Sequence, residues 1–269
     1  MTSCACGHHH SPRHHHDASG VPVAMRTPLF GLTGRLICRD AAQMMAALSL
    51  LPDHIRLSRE EPGCLAFDLW QDEDPMVWHL SELFADADAF AAHGQRTEAS
   101  EWGREGAGIG RDFQRHDVVP VIRRETRHDL DAIDALLRAT FGGDDEARLV
   151  RKLREDGDLS LSLVAEAAGT ILGHAALSPL EAEAPAHALA PVSVTPKAQG
   201  RGIGAALVRQ AVSWADTASV VVVGAPGYYG PLGFKPADLS SPYAGLAMQM
   251  IGTLPRGSAI RHAPAFVTL

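Results

Sequence analysis

A glycine-rich stretch between a predicted strand and a predicted helix constrains this chain more than any other feature. The apolar run at 189–194 predicts a strand, and a helical pattern begins at Ala205. Gln199-Gly200-Arg201-Gly202-Ile203-Gly204 lies between them. Glycines remove side chains that would block close approach, and the N–H groups at the start of a helix favour an anion. The stretch therefore predicts a diphosphate site, with a tight turn that uses glycine for its dihedrals as the alternative.

Two common phosphate-binding loops do not match this stretch. A dinucleotide loop of the Gly-x-Gly-x-x-Gly type follows the first strand of a β-α-β unit and has an acidic residue about 20 positions later. This stretch instead lies late in its predicted domain. It also lacks the Gly-Lys-Ser/Thr ending of nucleoside-triphosphate loops. A different diphosphate ligand is therefore indicated.

Three segments of the C-terminal half resemble the GNAT acetyltransferase superfamily. Gln199-x-x-Gly202-x-Gly204 matches its Gln/Arg-x-x-Gly-x-Gly/Ala signature, and residues 229–234 match its Tyr-x-x-x-Gly-Phe ending. The strand at 189–194 takes the place of the superfamily's splayed strand. The resemblance implies the GNAT acyl-CoA N-acyltransferase fold, with acetyl-CoA as cofactor.

This resemblance, which covers residues 120–269, also implies roles for individual residues. Backbone groups of Val192 and Val194 would hold the pantetheine arm and the acetyl carbonyl. Tyr229 would protonate the departing thiolate when an amine attacks the thioester, and aromatic packing is its alternative role. Tyr228 is expected to have a packing role. The implied cofactor-binding residues are Val192, Val194, Gln199, Gly200, Arg201, Gly202, Ile203 and Gly204.

The general base and the acceptor are less well defined by the sequence. His174, Glu181 and Glu183 are candidate bases that would act through water, and a structural or solvated role is the alternative for each. The stretch 179–187 is expected to border the acceptor site. The acceptor itself is expected to be an amine of a small molecule or a peptide.

The region from residue 31 to 117 has a different pattern. It predicts strands near 32–38, 64–70 and 76–84, helices at 41–51 and 86–103, and a fourth strand at 118–121. The order strand, helix, strand, strand, helix, strand is typical of a ferredoxin-like α+β sandwich. The chain is therefore predicted to be α+β in both domains.

Glu82 is the unusual residue of that region. Period-two alternation places it on the same side of its strand as Leu80 and Phe84, so its carboxyl points into an apolar layer. His93 on the following helix is expected to approach the same layer. Glu82 and His93 are either the polar members of a small-molecule cleft or structural groups that hold the helix and satisfy the core.

The run from Glu61 to Trp102, which begins Glu-Pro-Gly-Cys, resembles the antibiotic-biosynthesis monooxygenase (ABM) family. That resemblance spans residues 31–117. It implies a ferredoxin-like domain of the dimeric α+β barrel type, hence a homodimer, and a pocket between helices and sheet to which Glu82 and His93 would belong. In some members it implies cofactor-free oxygenation of quinols or polyketides.

The first 30 residues carry no periodic pattern and hold six of the 14 His within nine positions. They predict a disordered tail. Cys4, Cys6 and the His runs at 8–10 and 14–16 are competent soft-metal ligands, but the spacing lacks the paired knuckles of structural zinc sites, so no metal site is expected.

Charge and hydropathy exclude several classes of partner. The 24 Lys and Arg against 32 Asp and Glu give a net charge of -8, which disfavours nucleic acid and anionic membrane surfaces. The sequence shows no apolar run of about 20 residues and no signal-peptide pattern, so a cytoplasmic location is expected. A length of 269 residues fits two modest domains and a tail.

The sequence thus predicts an acetyl-CoA-dependent N-acetyltransferase fused to a monooxygenase-like domain. One alternative makes oxygenation the main reaction, with the second domain sensing acetyl-CoA. Another makes the first domain a dimerisation module.

Overall fold

A computed structural model describes residues 20–267 and contains two β-sheets, one of four strands and one of nine. The elements of the N-terminal part are β1 (Val21–Pro22), β2 (Leu29–Ile37), α1 (Ala41–Glu60), β3 (Cys64–Gln71), β4 (Val77–Phe84), α2 (Ala87–Ala99), α3 (Glu101–Glu105) and β5 (Gly110–Val118).

The four-stranded sheet has the order β3-β4-β2-β5, and each neighbouring pair is antiparallel. With its helices this is the ferredoxin-like topology, so the predicted fold of the first domain is confirmed. Two aspartates start the main helices: Asp40 accepts a hydrogen bond from the N–H of Gln43, and Asp86 accepts one from the N–H of Ala89. Both are standard N-caps that satisfy otherwise unbonded N–H groups.

Two boundaries in this region differ from the sequence-based expectation. The fourth strand is Gly110–Val118, paired along its length with β2, whereas 118–121 was expected. This strand is mostly exposed and polar, so hydrophobic periodicity does not show it. Helix α1 also continues through Pro52 to Glu60 instead of ending at Leu51.

The predicted disordered tail of residues 1–30 is wrong for its last part. β1 pairs antiparallel with Val121 and Ile122, Val23 is buried, and Leu29 begins β2. A two-residue strand is too short to produce a periodic pattern, so it cannot be detected in the sequence. The Cys and His residues at positions 4–16 lie outside the described residues.

The C-terminal part carries the nine-stranded sheet with helices around it. Its elements are β6 (Val121–Arg124), α4 (Leu130–Phe141), α5 (Asp145–Glu155), β7 (Leu161–Ala167), β8 (Thr170–Glu181), β9 (Ala186–Val194), α6 (Ile203–Ala215), β10 (Ser219–Val223), α7 (Pro226–Tyr229), β11 (Lys235–Pro236), β12 (Met248–Ile251) and β13 (Arg261–His262). A capping box formed by Thr126 and Asp129 is present just before α4.

The nine-stranded sheet follows the order β1-β6-β7-β8-β9-β10-β12-β11, with β13 beside β8. β9 and β10 are the parallel pair, and their register joins Ser219–Val221 to Ala186–Ala188. From 189 to 194 the strand β9 stays paired with β8 while no register to β10 is formed among the described residues. The two strands therefore splay apart toward their carboxyl ends.

The two sheets share one apolar cluster. Leu29 and Leu83 of the first sheet are buried in the same cluster as Ala198, Ile203 and Leu207 from the region around α6. The ferredoxin-like part thus packs directly against the start of α6. Among residues 20–267, no helix is both long and apolar enough to span a bilayer.

Candidate functional site

The glycine-rich stretch forms an open loop that leads into α6. Gly200 and Gly202 have φ of 76° and 86°, the left-handed region that glycine adopts without strain. Within the described residues, no carbonyl outside the helix accepts a hydrogen bond from the N–H groups of 200–204, and a helix offers its first N–H groups no internal acceptor. These N–H groups are therefore available to a ligand.

The outer face of this loop is also uncovered. A Cβ atom added at Gly200 would meet no heavy atom within 4 Å, and one at Gly202 would meet the carbonyl oxygen of Ala24 at 3.7 Å. Gln199, Gly200 and Gly202 are exposed, while Ile203 and Gly204 are buried under them. A diphosphate, an acceptor-rich anion, fits N–H groups at such a helix start.

The splayed edge of β9 continues from this loop. The side chains of Val192 and Val194 are half-buried and pack on the cluster around α6. Their backbone edge toward β10 has no strand partner among the described residues, so its polar groups can bond an extended ligand. The side-chain amide of Gln199 donates to the Val194 carbonyl at 3.1 Å, which ties the loop to the strand. The structure thus brings together all eight predicted cofactor-binding residues.

Two further side chains of the loop region bind the first domain, which the sequence pattern did not reveal. The Lys197 ammonium donates to the carbonyls of Arg59 and Glu61 at 2.6 and 2.9 Å. The Arg201 guanidinium donates to the Asp86 carboxylate at 3.0 Å. The pKa of Asp86 is lowered, first by the N–H of Ala89 and then by Arg201.

Tyr229 and Tyr228 lie on α7 beside the splay. The Tyr229 ring is half-buried against Gly224 and lies 5.5 Å from the Phe234 ring, centroid to centroid. Burial raises the pKa of Tyr229 to about 12, so the phenol keeps its proton at neutral pH. A protonated phenol is the form that a general acid requires.

Tyr228 is placed differently from its expected packing role. Its hydroxyl oxygen lies 2.5 Å from the position that a Cβ of Gly204 would occupy, so it reaches the first turn of α6. The side chain is exposed, and burial of its hydroxyl raises the Tyr228 pKa. The close approach explains why position 204 is a glycine. A second phenol therefore faces the loop.

The three candidate bases are in unequal positions. His174 is fully buried, its Nε2 lies 2.9 Å from the Ser162 hydroxyl, and burial lowers its pKa to about 4. Ser162 in turn donates to Glu125, which also binds Arg154. Glu181 forms an ion pair with Arg261, and Glu183 is exposed. His174 is thus part of a buried network and neutral at physiological pH.

Glu82 is buried in the first domain, where only 6% of it is exposed. One of its oxygens has no hydrogen-bond partner among the described residues. Burial, and secondly the charge of Glu61, raise its pKa to about 8. Phe67 lies opposite Glu82 on β3, and the Phe67 ring contacts His93.

His93 is bound by a carboxylate that the sequence pattern did not single out. Its Nδ1 lies 3.0 Å from Glu61, which also accepts from Arg96 at 2.7 Å. Arg96 extends this network to Ser58 and to His54, whose pKa is lowered to about 3 by burial. Glu61 belongs to the Glu-Pro-Gly turn, and that motif is the sequence feature that could have pointed to Glu61. Glu82 and His93 lie in one buried region but share no direct hydrogen bond.

No group of three or more metal-ligating side chains occurs in residues 20–267. Cys38 and Cys64 are buried thiols that form no disulfide.

Comparison with known proteins gives two matches on different parts of the chain. Residues 130–226 match the Acetyltransferase (GNAT) family, and residues 40–105 match Antibiotic biosynthesis monooxygenase. The chain is 39% identical over 122 residues to the uncharacterized N-acetyltransferase YhbS of Escherichia coli (strain K12), covering 43% of this chain and 73% of that protein. It is 36% identical over 106 residues to the uncharacterized N-acetyltransferase YjhQ of the same strain, covering 36% of this chain and 59% of that protein.

Among solved structures, the crystal structure of the GNAT family N-acetyltransferase YhbS from Escherichia coli in complex with CoA is similar to the C-terminal part. Its TM-score is 0.51 at 34% sequence identity, and the match covers 55% of this chain and 92% of that one.

Proposed function

Because this chain belongs to the GNAT family of acetyltransferases, we propose that it transfers the acetyl group of acetyl-CoA to a primary amine of a small molecule or peptide. The observation that carries this proposal is the row of unbonded N–H groups at 200–204, which lies next to the splayed edge of β9. These two features together fit one ligand that carries both a diphosphate and an extended, amide-bearing arm.

The chain's own residues supply the remaining requirements. Acetyl-CoA brings an activated thioester, so an amine needs to be neutral and correctly oriented to attack it. N–H groups of the splayed strand near Val192 would stabilise the negative charge that develops on the acetyl oxygen. Tyr229 would donate its phenolic proton to the leaving sulfur. Because His174 is buried and neutral, direct loss of the amine's proton to solvent is the simpler route.

The first test is loss of cofactor binding in Gly202→Glu. A carboxylate there would place bulk and negative charge where the diphosphate binds, and calorimetry should detect no acetyl-CoA binding. Gly202→Ala controls for the strain of a side chain at φ 86°. Gly94→Glu adds the same charge on α2, where the new Cβ would meet no atom within 4 Å. Unchanged affinity in Gly202→Glu would refute the proposed loop function.

Identification of the acceptor requires a turnover assay. A panel of amines and peptides with an N-terminal amine would be incubated with acetyl-CoA, and the free thiol of CoA would be measured. Thiol release that depends on the amine supports the proposal. Wild-type protein that binds acetyl-CoA but releases thiol with none of the amines would favour a sensing role for this domain.

A second candidate activity concerns the first domain. The unpaired carboxyl oxygen of Glu82 in a layer walled by aromatic rings favours a buried small-molecule site, and a quinol is the substrate class suggested by the ABM match. Oxygen uptake with a quinol would support this activity. Transferase activity that depends on dimerisation, without oxygen uptake, would favour a homodimer formed through the first domain. A cytoplasmic location stays a prediction.

A further inference from the structure

The loop that carries the proposed cofactor site is anchored by three alternating side chains, and two of them bind the first domain. Gln199 binds β9, whereas Lys197 binds the end of α1 and Arg201 binds Asp86 at the start of α2. We infer that the ferredoxin-like domain completes the acetyl-CoA site, with Asp86 acting as a positioning residue for the phosphate loop. This inference rests on the proposed function.

The contact between the domains is buried enough to hold the loop in place. The side chains of Arg201 and Asp86 are 24% and 31% exposed. Leu83 on β4, just before Asp86, is buried in the same apolar cluster as Ala198, just before the loop. An ion pair beside such a cluster is screened by salt less than one on an open surface.

The loop needs such anchors because its own backbone is permissive. Gly200 and Gly202 flank Arg201, and glycine has more conformational freedom to lose than any other residue. N–H groups bind a diphosphate tightly only if they already converge on one point, since ordering them on binding reduces the affinity. Arg201 is the residue between the two glycines, so its ion pair with Asp86 fixes the loop at its most flexible place.

The charge of Asp86 also has an electrostatic effect that would weaken acetyl-CoA binding. The negative charge of Asp86 would repel a diphosphate and would compete with it for Arg201. If this repulsion were the larger effect, removal of the charge would strengthen acetyl-CoA binding. If positioning is the larger effect, as we infer, removal of the charge weakens it.

Asp86→Asn separates these effects from a defect in folding. Asn is as good an N-cap as Asp, so the hydrogen bond from Ala89 and the start of α2 are retained. The expected result is a KM for acetyl-CoA that rises about two- to fivefold while kcat stays within about twofold. Asp112→Asn removes an exposed ion pair with Arg35 in the same domain and should leave both constants unchanged.

A double-mutant cycle tests whether Asp86 acts through Arg201. In an Arg201→Gln background the Asp86→Asn change should no longer raise KM, because the two residues act as one unit. Full additivity would overturn the positioning role. A lower KM in Asp86→Asn would overturn it as well and would identify Asp86 as a competitor of the cofactor.

Hydrogen exchange provides a readout that does not depend on catalysis. The helical amides that follow the loop, beginning with the Ala206 N–H that donates to the Gly202 carbonyl at 3.0 Å, should exchange faster in the free full-length Asp86→Asn protein than in wild type or Asp112→Asn. If wild type does not bind acetyl-CoA, the proposed function fails, yet faster exchange would still show that Asp86 orders the loop. Unchanged exchange together with normal acetyl-CoA binding would refute the inference alone.

Discussion

Replacement of Glu82 by Gln should make the protein less sensitive to alkaline pH. The pKa of Glu82 rises from 4.5 to about 8 because burial separates the carboxylate from water and Glu61 adds repulsion. The native state therefore prefers the protonated carboxyl, whereas the unfolded chain ionises it near pH 4.5. The stabilising contribution is fully present below about pH 4.5 and is lost as pH rises toward 8.

The size of this loss follows from the two pKa values. Each pKa unit between the native and unfolded states corresponds to about 1.4 kcal/mol. The contribution of Glu82 should therefore fall by roughly 3 kcal/mol by pH 7 and by roughly 5 kcal/mol by pH 9. Gln has nearly the same volume and cannot ionise, so Glu82→Gln should lack this loss.

The assay is urea unfolding at pH 5, 7 and 9, followed by tryptophan fluorescence, since three of the four Trp (Trp70, Trp78 and Trp102) lie in the same domain as Glu82. The free energy of unfolding of Glu82→Gln should gain on wild type by a few kcal/mol between pH 5 and pH 9. Glu98→Gln, at an exposed position on α2, is the matched control and should follow wild type. Parallel curves for wild type and Glu82→Gln would refute the reasoning, because the carboxyl would then ionise at the same pH in both states.

Three further predictions concern the second domain. Burial lowers the pKa of His174 to about 4, so the free energy of unfolding should fall by roughly 3 kcal/mol as pH drops from 6.5 toward 4. The urea midpoint of His174→Gln should fall less than that of wild type over this range. An identical fall in the two proteins would contradict a neutral buried imidazole. Tyr229→Phe should lower kcat by about 100-fold with little change in acetyl-CoA affinity. Tyr228→Phe should instead raise the acetyl-CoA KM with kcat retained. If Tyr229→Phe turned over as fast as wild type at every pH, an acid role for Tyr229 would be excluded.

The phosphate loop was predictable because its signal is local. Three glycines in six residues, a preceding apolar strand and a following helix are all contiguous in the chain. The splay of β9 from β10 came from the resemblance, since no residue pattern states where two parallel strands stop pairing. The first three strands of the ferredoxin-like unit were likewise readable from alternation within single strands, whereas the exposed and polar β5 was not.

The parts that were missed depend on contacts between distant residues. Asp86 and Arg201 are 115 positions apart, and Glu61 and His93 are 32 apart. Asp86 and Glu61 each also have a local role: Asp86 caps a helix, and Glu61 lies at a turn. A residue with a sufficient local explanation gives no sign of its second partner.

The pairing of β1 with β6 means that the first domain is an insertion within the second. The chain forms an edge strand of the nine-stranded sheet at Val21–Pro22, leaves to build the whole ferredoxin-like unit, and returns at Val121 beside the strand it left. A fragment beginning at residue 120 would thus lack its outermost strand and Val23, and would present β6 as a bare edge open to pairing with other chains. To remove the first domain and keep β1 paired with β6, residues 29–118 should be excised and replaced by a short linker, whereas a truncation would remove β1.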